Sequence, residues 1–294
     1  MQHASRFRIF LVGIWVLMLP LLLFTLYAGS RASAPKPVTL SEQSVSSESG
    51  TLVADEVTPA PLPKVPTGQK ADNGAIAAFF GPEFAGKALC KFSKQNVLIS
   101  GSTLTVVYPQ GSSAPSAGAP YGGAQLCVPS AAGTSSEATL NYDLRFPVGF
   151  QFIKGGKLPG LYGGKPPFSG GKHNPDGWSM RLMWRENGTA EIYGYISTST
   201  GYGDDWTGGG LKFQADGQWH HISEHVRLNT PGQSDGYATL SYDGTEYIHK
   251  DGIAVTTTNT PITGLYFSTF YGGHDSTWSP TADMHIDFAN FRRG

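Results

Sequence analysis

Charge is scarce in this 294-residue chain: Asp, Glu, Lys and Arg make up 15% of it, and the formal net charge is -1. With no global positive field, nucleic acid is excluded as a partner, and any other polyanion has to be gripped by a local basic cleft. Cysteine is nearly absent, Cys90 and Cys127 being the two it has. So few thiols argue against a metal site, and in an exported chain the two are expected to pair in a disulfide, closing a loop worth about 4 kcal/mol of chain entropy. The sequence also lacks a phosphate loop, a dinucleotide fingerprint and a long amphipathic helix, so no cofactor is implied and a helical bundle is excluded. No serine sits in a nucleophile elbow, and no motif supplies the paired carboxylates of a glycoside hydrolase.

One apolar run breaks this moderation. Residues 9–28 carry no charge and come after Arg6 and Arg8. A stretch of about 20 residues is long enough to span a bilayer and longer than the apolar part of a cleaved signal. Residues 1–29 are therefore expected to form a signal anchor or a signal peptide, the length favouring a retained transmembrane helix. Either form exports the remainder of the chain, to the periplasm or outside the cell, and the first also ties it to the membrane. Residues 30–74, rich in Ser, Pro, Glu, Val and Thr without a period, read as a disordered linker. Residues 75–294 are left for one folded domain, expected as a monomer.

What that domain has in abundance is glycine, 38 in the whole chain, with 20 prolines. They punctuate short strand candidates at 97–99, 103–108, 138–146, 149–153, 219–228, 237–242, 245–249, 264–271 and 284–291. Regular short strands without helices indicate an all-β fold, an antiparallel β-sandwich. The run GGKLPGLYGG, residues 155–164, reads instead as a Gly-rich loop, where Lys157 would ordinarily be a solvated charge.

The sharpest pattern comes next in the chain. In WSMRLMWRENGTAEIYGY, Trp178, Met180, Leu182 and Trp184 alternate with Ser179, Arg181, Met183 and Arg185, and the return arm alternates Ala190, Ile192 and Gly194 with Glu191, Tyr193 and Tyr195. A two-residue turn at Asn187-Gly188 would mix the faces, whereas a three-residue loop of Glu186, Asn187 and Gly188 keeps them pure. It sets Arg181 opposite Tyr193 and Ser179 opposite Tyr195, and Leu182 opposite Ile192. Guanidinium, hydroxyl and two phenols then share one patch. A guanidinium matches a carboxylate and phenols move protons, which with a nearby lysine is the equipment for β-elimination from a uronic acid. The outward row of His221 and His225 is read as a solvated or binding face rather than a zinc site, since no third ligand is evident.

The segments GGKLPGLYGG, WSMRLMWRENG, EIYGY and LYFSTFYGGHDSTWSP, with LTVVYPQGSSAP earlier, resemble polysaccharide lyase family 14. The resemblance covers the chain from about Asn96 onward and narrows the sandwich to a concanavalin-like jelly roll with a groove for a polymer. It implies an exported lyase that cuts 1,4-linked uronic acid polymers, of alginate or glucuronan type, by β-elimination. Matched motif by motif, the implied catalytic set is Lys157, Ser179, Arg181, Tyr193 and Tyr195. Tyr162, His274 and Trp278 lie in the same segments and are expected to bind substrate. The competing expectation is a jelly roll that holds acidic polysaccharide without cutting it.

Overall fold

Alternation of side chains sets the architecture of the chain. The computed structural model describes residues 61–67, 69–85, 95–118, 120–166 and 168–294. The chain divides into two units, Met1–Glu56 and Val57–Gly294, and every described element belongs to the second. It opens with β1 (Gln69–Lys70) and α1 (Asn73–Phe79), the helix capped by Asp72, whose carboxylate accepts from the Ala75 amide. Then come β2 (Val97–Ser100), β3 (Thr103–Tyr108), β4 (Ala124–Pro129), β5 (Glu137–Arg145) and β6 (Gly155–Gly164). Next are β7 (Gly177–Arg185), β8 (Ala190–Tyr195), β9 (Asp204–Trp206) and β10 (His220–Arg227). The chain ends in β11 (Gly236–Tyr242), β12 (Thr245–Ile253), β13 (Ile262–Tyr271) and β14 (Met284–Arg293).

Two antiparallel sheets result. One runs β1-β2-β3-β14-β5-β10-β11-β12, the other β4-β13-β6-β7-β8-β9. Strand β5 shows why they stack: Ala138, Leu140, Tyr142 and Leu144 are buried, while Glu137, Thr139, Asn141 and Asp143 between them are less so. The same rule sends Met180, Leu182, Trp184 and Ile192 of the smaller sheet into the shared core, with Leu158, Leu161, Leu265 and Phe267. Trp184 is boxed in by Tyr108, Phe146, Phe150 and Tyr271, its ring centroid 5.4–6.3 Å from theirs. Burial of each such side chain stabilises the fold by about 1.5–3 kcal/mol. The smaller sheet also has a second apolar cluster, of Cys127, Tyr162, Phe168, Met183, Tyr193, Tyr195 and Tyr266.

The all-β sandwich stands, and several other expectations change. Among the described residues no helix is long and apolar enough to cross a membrane, and residues 9–28 lie outside them. The membrane-spanning element, and with it the membrane partner and the anchored location, is therefore withdrawn. Of the expected Cys90–Cys127 bridge only one end is described: Cys90 lies outside the described residues, and Cys127, buried in β4, is not a free thiol. Residues 149–153 form a turn rather than a strand, because Gly149 and Ile153 take left-handed φ of 83° and 49°. GGKLPGLYGG is a ten-residue central strand, not a loop. Its glycines are there because neighbouring strands leave no room: a Cβ on Gly160 would stand 2.1 Å from the Met180 carbonyl oxygen.

Candidate active site

The hairpin of β7 and β8 lies in the register its alternation demands. Ser179 pairs with Tyr195, Met180 with Gly194, Arg181 with Tyr193 and Leu182 with Ile192. Glu186–Gly188 make the 3-10 turn between the arms, with Asn187 and Gly188 at left-handed φ of 57° and 77°. Arg181, Met183, Arg185, Tyr193 and Tyr195 consequently line one cleft of about 620 Å³, together with Lys157 from β6.

Arg181 is its centre. The side chain is 1% exposed, and its guanidinium carbon lies 5.0, 5.6 and 5.7 Å from the ring centroids of Tyr266, Tyr193 and Tyr195. One of its nitrogens, Nη1, donates to Ser268 Oγ on β13 at 3.1 Å. Nε and Nη2 are buried with no hydrogen-bond partner among the described residues, and no carboxylate there pairs with the charge. A desolvated guanidinium held this way, between aromatic faces and at the wall of a cleft, keeps two adjacent nitrogens of the fork that matches a carboxylate.

Lys157 approaches from the other side. Its Nζ sits 3.1 Å from the Tyr193 ring centroid and contacts the Met183 sulfur. Burial, and then the nearby Arg181 and Arg185 cations, hold its pKa well below the usual lysine range, so the amine readily sheds its proton. Arg185 does not compete for substrate in the same way, since it is engaged by Glu191 at 2.7 Å and Asp205 at 2.9 Å. The two phenols differ. Tyr193 donates to the Tyr202 carbonyl at 3.0 Å, and burial together with its contact to Tyr195 raises its pKa, keeping it a phenol. Tyr195 is instead an acceptor from the Gly171 amide at 2.9 Å, its ring stacked on His173.

The remaining expected residues divide. His274 and Trp278 line the cleft, the indole 5.9 Å from Lys154 Nζ. Ser179 does not: wholly buried, it donates to the Phe168 carbonyl at 2.9 Å and so ties down the β6–β7 connection. Tyr162 is also off the cleft, under Phe168 and Tyr266, with burial pushing its pKa up to about 12. Sequence reading overlooked Tyr266 and Ser268, the two β13 side chains that frame Arg181. The alternation of LYFSTFY carries the signal, because Leu265 and Phe267 enter the core and put Tyr266 and Ser268 on the other face. It likewise missed Tyr202, which a loop carries to the rim, and Asp205, which β9 brings there by pairing with Tyr193 of β8.

A β-sandwich whose cleft joins a guanidinium with no carboxylate partner among the described residues, a readily deprotonated lysine and two phenols has the makeup of an enzyme that works on acidic polymers. Comparison with known families is specific: residues 97–291 match polysaccharide lyase 14, so the chain belongs to that family and is a polysaccharide lyase, breaking uronic-acid polymers by β-elimination. Among solved structures it is similar to the alginate lyase from Aplysia kurodai, with 27% identity and a TM-score of 0.66, over 78% of this chain and 96% of that one. It is similar also to the alginate lyase Aly36B, at 25% identity and TM-score 0.63, over 76% and 91% of the two chains. The alginate lyase vAL-1 from Chlorella virus shares the fold at 21% identity and TM-score 0.61, over 69% and 90%. No curated protein matches the sequence.

Proposed function

We propose that this cleft cleaves alginate-type chains of 1,4-linked uronic acid, with Arg181 as the carboxylate clamp and Lys157 as the base. The observation that carries the reading is the buried guanidinium whose Nε and Nη2 have no partner among the described residues. The C5 proton of a uronate is weakly acidic because the adjoining carboxylate resists further negative charge. Arg181 bound to that carboxylate stabilises the charge that develops as the proton leaves. The Lys157 amine, deprotonated by its surroundings, takes the proton from C5. The C5–H electrons form the C4–C5 double bond, the C4–O4 bond breaks, and a phenol of the Tyr193 and Tyr195 pair protonates the departing O4. Proton exchange with water returns the amine and the phenol to their starting states. Ser179 contributes by holding Phe168 and hence the wall of the cleft.

The similar structures support the choice of alginate, both being described as alginate lyases at 25% identity or above. The test is to incubate the protein with mannuronate-rich, guluronate-rich and glucuronan chains and follow the ultraviolet absorbance of unsaturated ends. Alginate is expected to yield them, and Arg181→Ala to lower kcat by about 100-fold or more. Saturated products, or tight binding of every polymer with no turnover, would overturn the reading.

A further inference from the structure

Glu224 is a buried acid that the reaction does not use. It projects from β10, in the larger sheet, into the core between the sheets and is 0% exposed. No cation pairs with it among the described residues, and burial holds its carboxyl well above the usual carboxylate range, partly offset by one backbone amide. Such a group costs stability relative to an apolar side chain of the same size. What it does in the fold is a single act: Oε2 accepts the Leu161 amide of β6 at 2.9 Å.

That amide lies at an irregularity under the catalytic cleft. Leu158 pairs with Leu182 and Leu161 with Met180, so Pro159 and Gly160 together stand against Arg181 alone. This is a β-bulge, and it changes parity. Lys157 and Tyr162 are five residues apart and would face opposite ways on a regular strand, yet Lys157 lines the cleft and Tyr162 joins the cluster on that face. Leu158 and Leu161 both enter the core for the same reason. The bulge is braced twice from across the sandwich: Glu224 takes the Leu161 amide, and the Tyr142 hydroxyl of β5 donates to the Pro159 carbonyl at 3.1 Å. Without a brace, ironing out the extra residue would slide part of β6 by one position, turning Lys157 away from the cleft or shifting the strand on which Arg181 leans.

We propose that Glu224 is a positioning residue of the lyase, whose carboxyl locks the β6 bulge and thereby sets Lys157 and Arg181 at the distances elimination needs. The inference rests on the proposed roles of those two side chains as base and carboxylate clamp. An apolar residue at 224 would pack, but would leave the Leu161 amide without an acceptor. A glutamine keeps the acceptor and the shape.

The experiment uses the full chain, with kcat and KM read from unsaturated-end absorbance on the polymer the wild type turns over fastest. Glu224→Leu, folded by circular dichroism, is expected to lose about 100-fold in kcat, as a misplacement near 1 Å does, with KM within about threefold. Glu224→Gln is expected to restore kcat to within about threefold of wild type, which loss of packing alone would not explain. A folded Glu224→Leu with wild-type kcat, a loss confined to KM, or a glutamine variant as poor as the leucine one overturns the proposal. If the leucine variant does not fold, Tyr142→Phe removes the second brace and is expected to lower kcat by about fivefold at unchanged KM; an unchanged kcat there overturns it. Lys157→Ala and Arg181→Ala run alongside: turnover in those variants defeats the assignment of the cleft itself, whereas their inactivity beside a fully active Glu224→Leu defeats only the role of Glu224.

Discussion

Arg181 on β7 reaches over the whole width of β6 to donate from Nη1 to Ser268 Oγ on β13, 3.1 Å away. Where it crosses, β6 sets Pro159 and Gly160 against Arg181, and at Gly160 the two strands approach too closely for a Cβ. The contact holds one end of the guanidinium, and Nε and Nη2 are left without a partner among the described residues. Removing it in Ser268→Ala frees the fork to swing. A hydrogen bond to a charged group is worth about 1.5–3 kcal/mol, so kcat/KM is expected to fall by about 10- to 100-fold, measured as the initial rate of unsaturated-end formation. An unchanged rate would show that the tyrosine rings alone fix the guanidinium.

Lys157 gives the fold a signed pH dependence. Its folded-state pKa is depressed by burial and by Arg181 and Arg185, so the unfolded chain binds a proton that the folded one refuses. Its contribution to stability is complete above the ordinary lysine range and is lost as pH falls from there toward the depressed value. In Lys157→Met the thermal midpoint is expected to fall less than in wild type between alkaline and neutral pH. Parallel curves for the two proteins would mean that Lys157 keeps its charge in the fold.

Gly160→Ala tests the close approach of β6 and β7. The new Cβ would stand 2.1 Å from the Met180 carbonyl oxygen and 2.6 Å from Arg181 Cα, both of them backbone atoms that cannot rotate aside. Overpacking of this kind costs about 1–3 kcal/mol, expected as a lower urea midpoint at an unchanged slope. Catalysis should drop as well, since the displaced strand carries Arg181.

Tyr202 is 62% exposed although it lines the cleft, with its ring beside Gly171 and 6.2 Å from the His274 ring. An aromatic face held open at the rim suits the apolar face of a sugar. Tyr202→Ala is expected to raise KM by about 2- to 10-fold on long chains, the worth of one aromatic contact, and to leave kcat alone because the backbone carbonyl that receives Tyr193 remains. Equal loss on dimers and on long chains would place the ring outside the sugar path.

Much of the hairpin was legible in the sequence. Side chains in a strand alternate with a period of two, so the purity of the two faces selected a three-residue turn and put Arg181 opposite Tyr193, as the structure has them. GGKLPGLYGG was illegible for an equally physical reason. Glycine and proline disfavour strands intrinsically, and only the neighbours β7 and β13, pressing where a Cβ would collide, make glycine the residue that fits. Ser179 and Tyr162 show a second limit. Ser179 lies on the face its alternation assigns, and Tyr162 was expected only from the resemblance, but the Phe168 connection covers both, and a cover from a loop leaves no periodic trace.

The sequence by itself determined the all-β class, the strand faces and the family, because each depends on local alternation or on the order of short motifs. Only the tertiary structure decided that Lys157 is buried and readily deprotonated, that Arg181 Nε and Nη2 have no partner among the described residues, and that a glutamate from the opposite sheet supports the strand that carries Lys157. Those properties arise from desolvation and from contacts between residues far apart in the chain, such as Leu161 with Glu224, and neither is written in any single stretch of it.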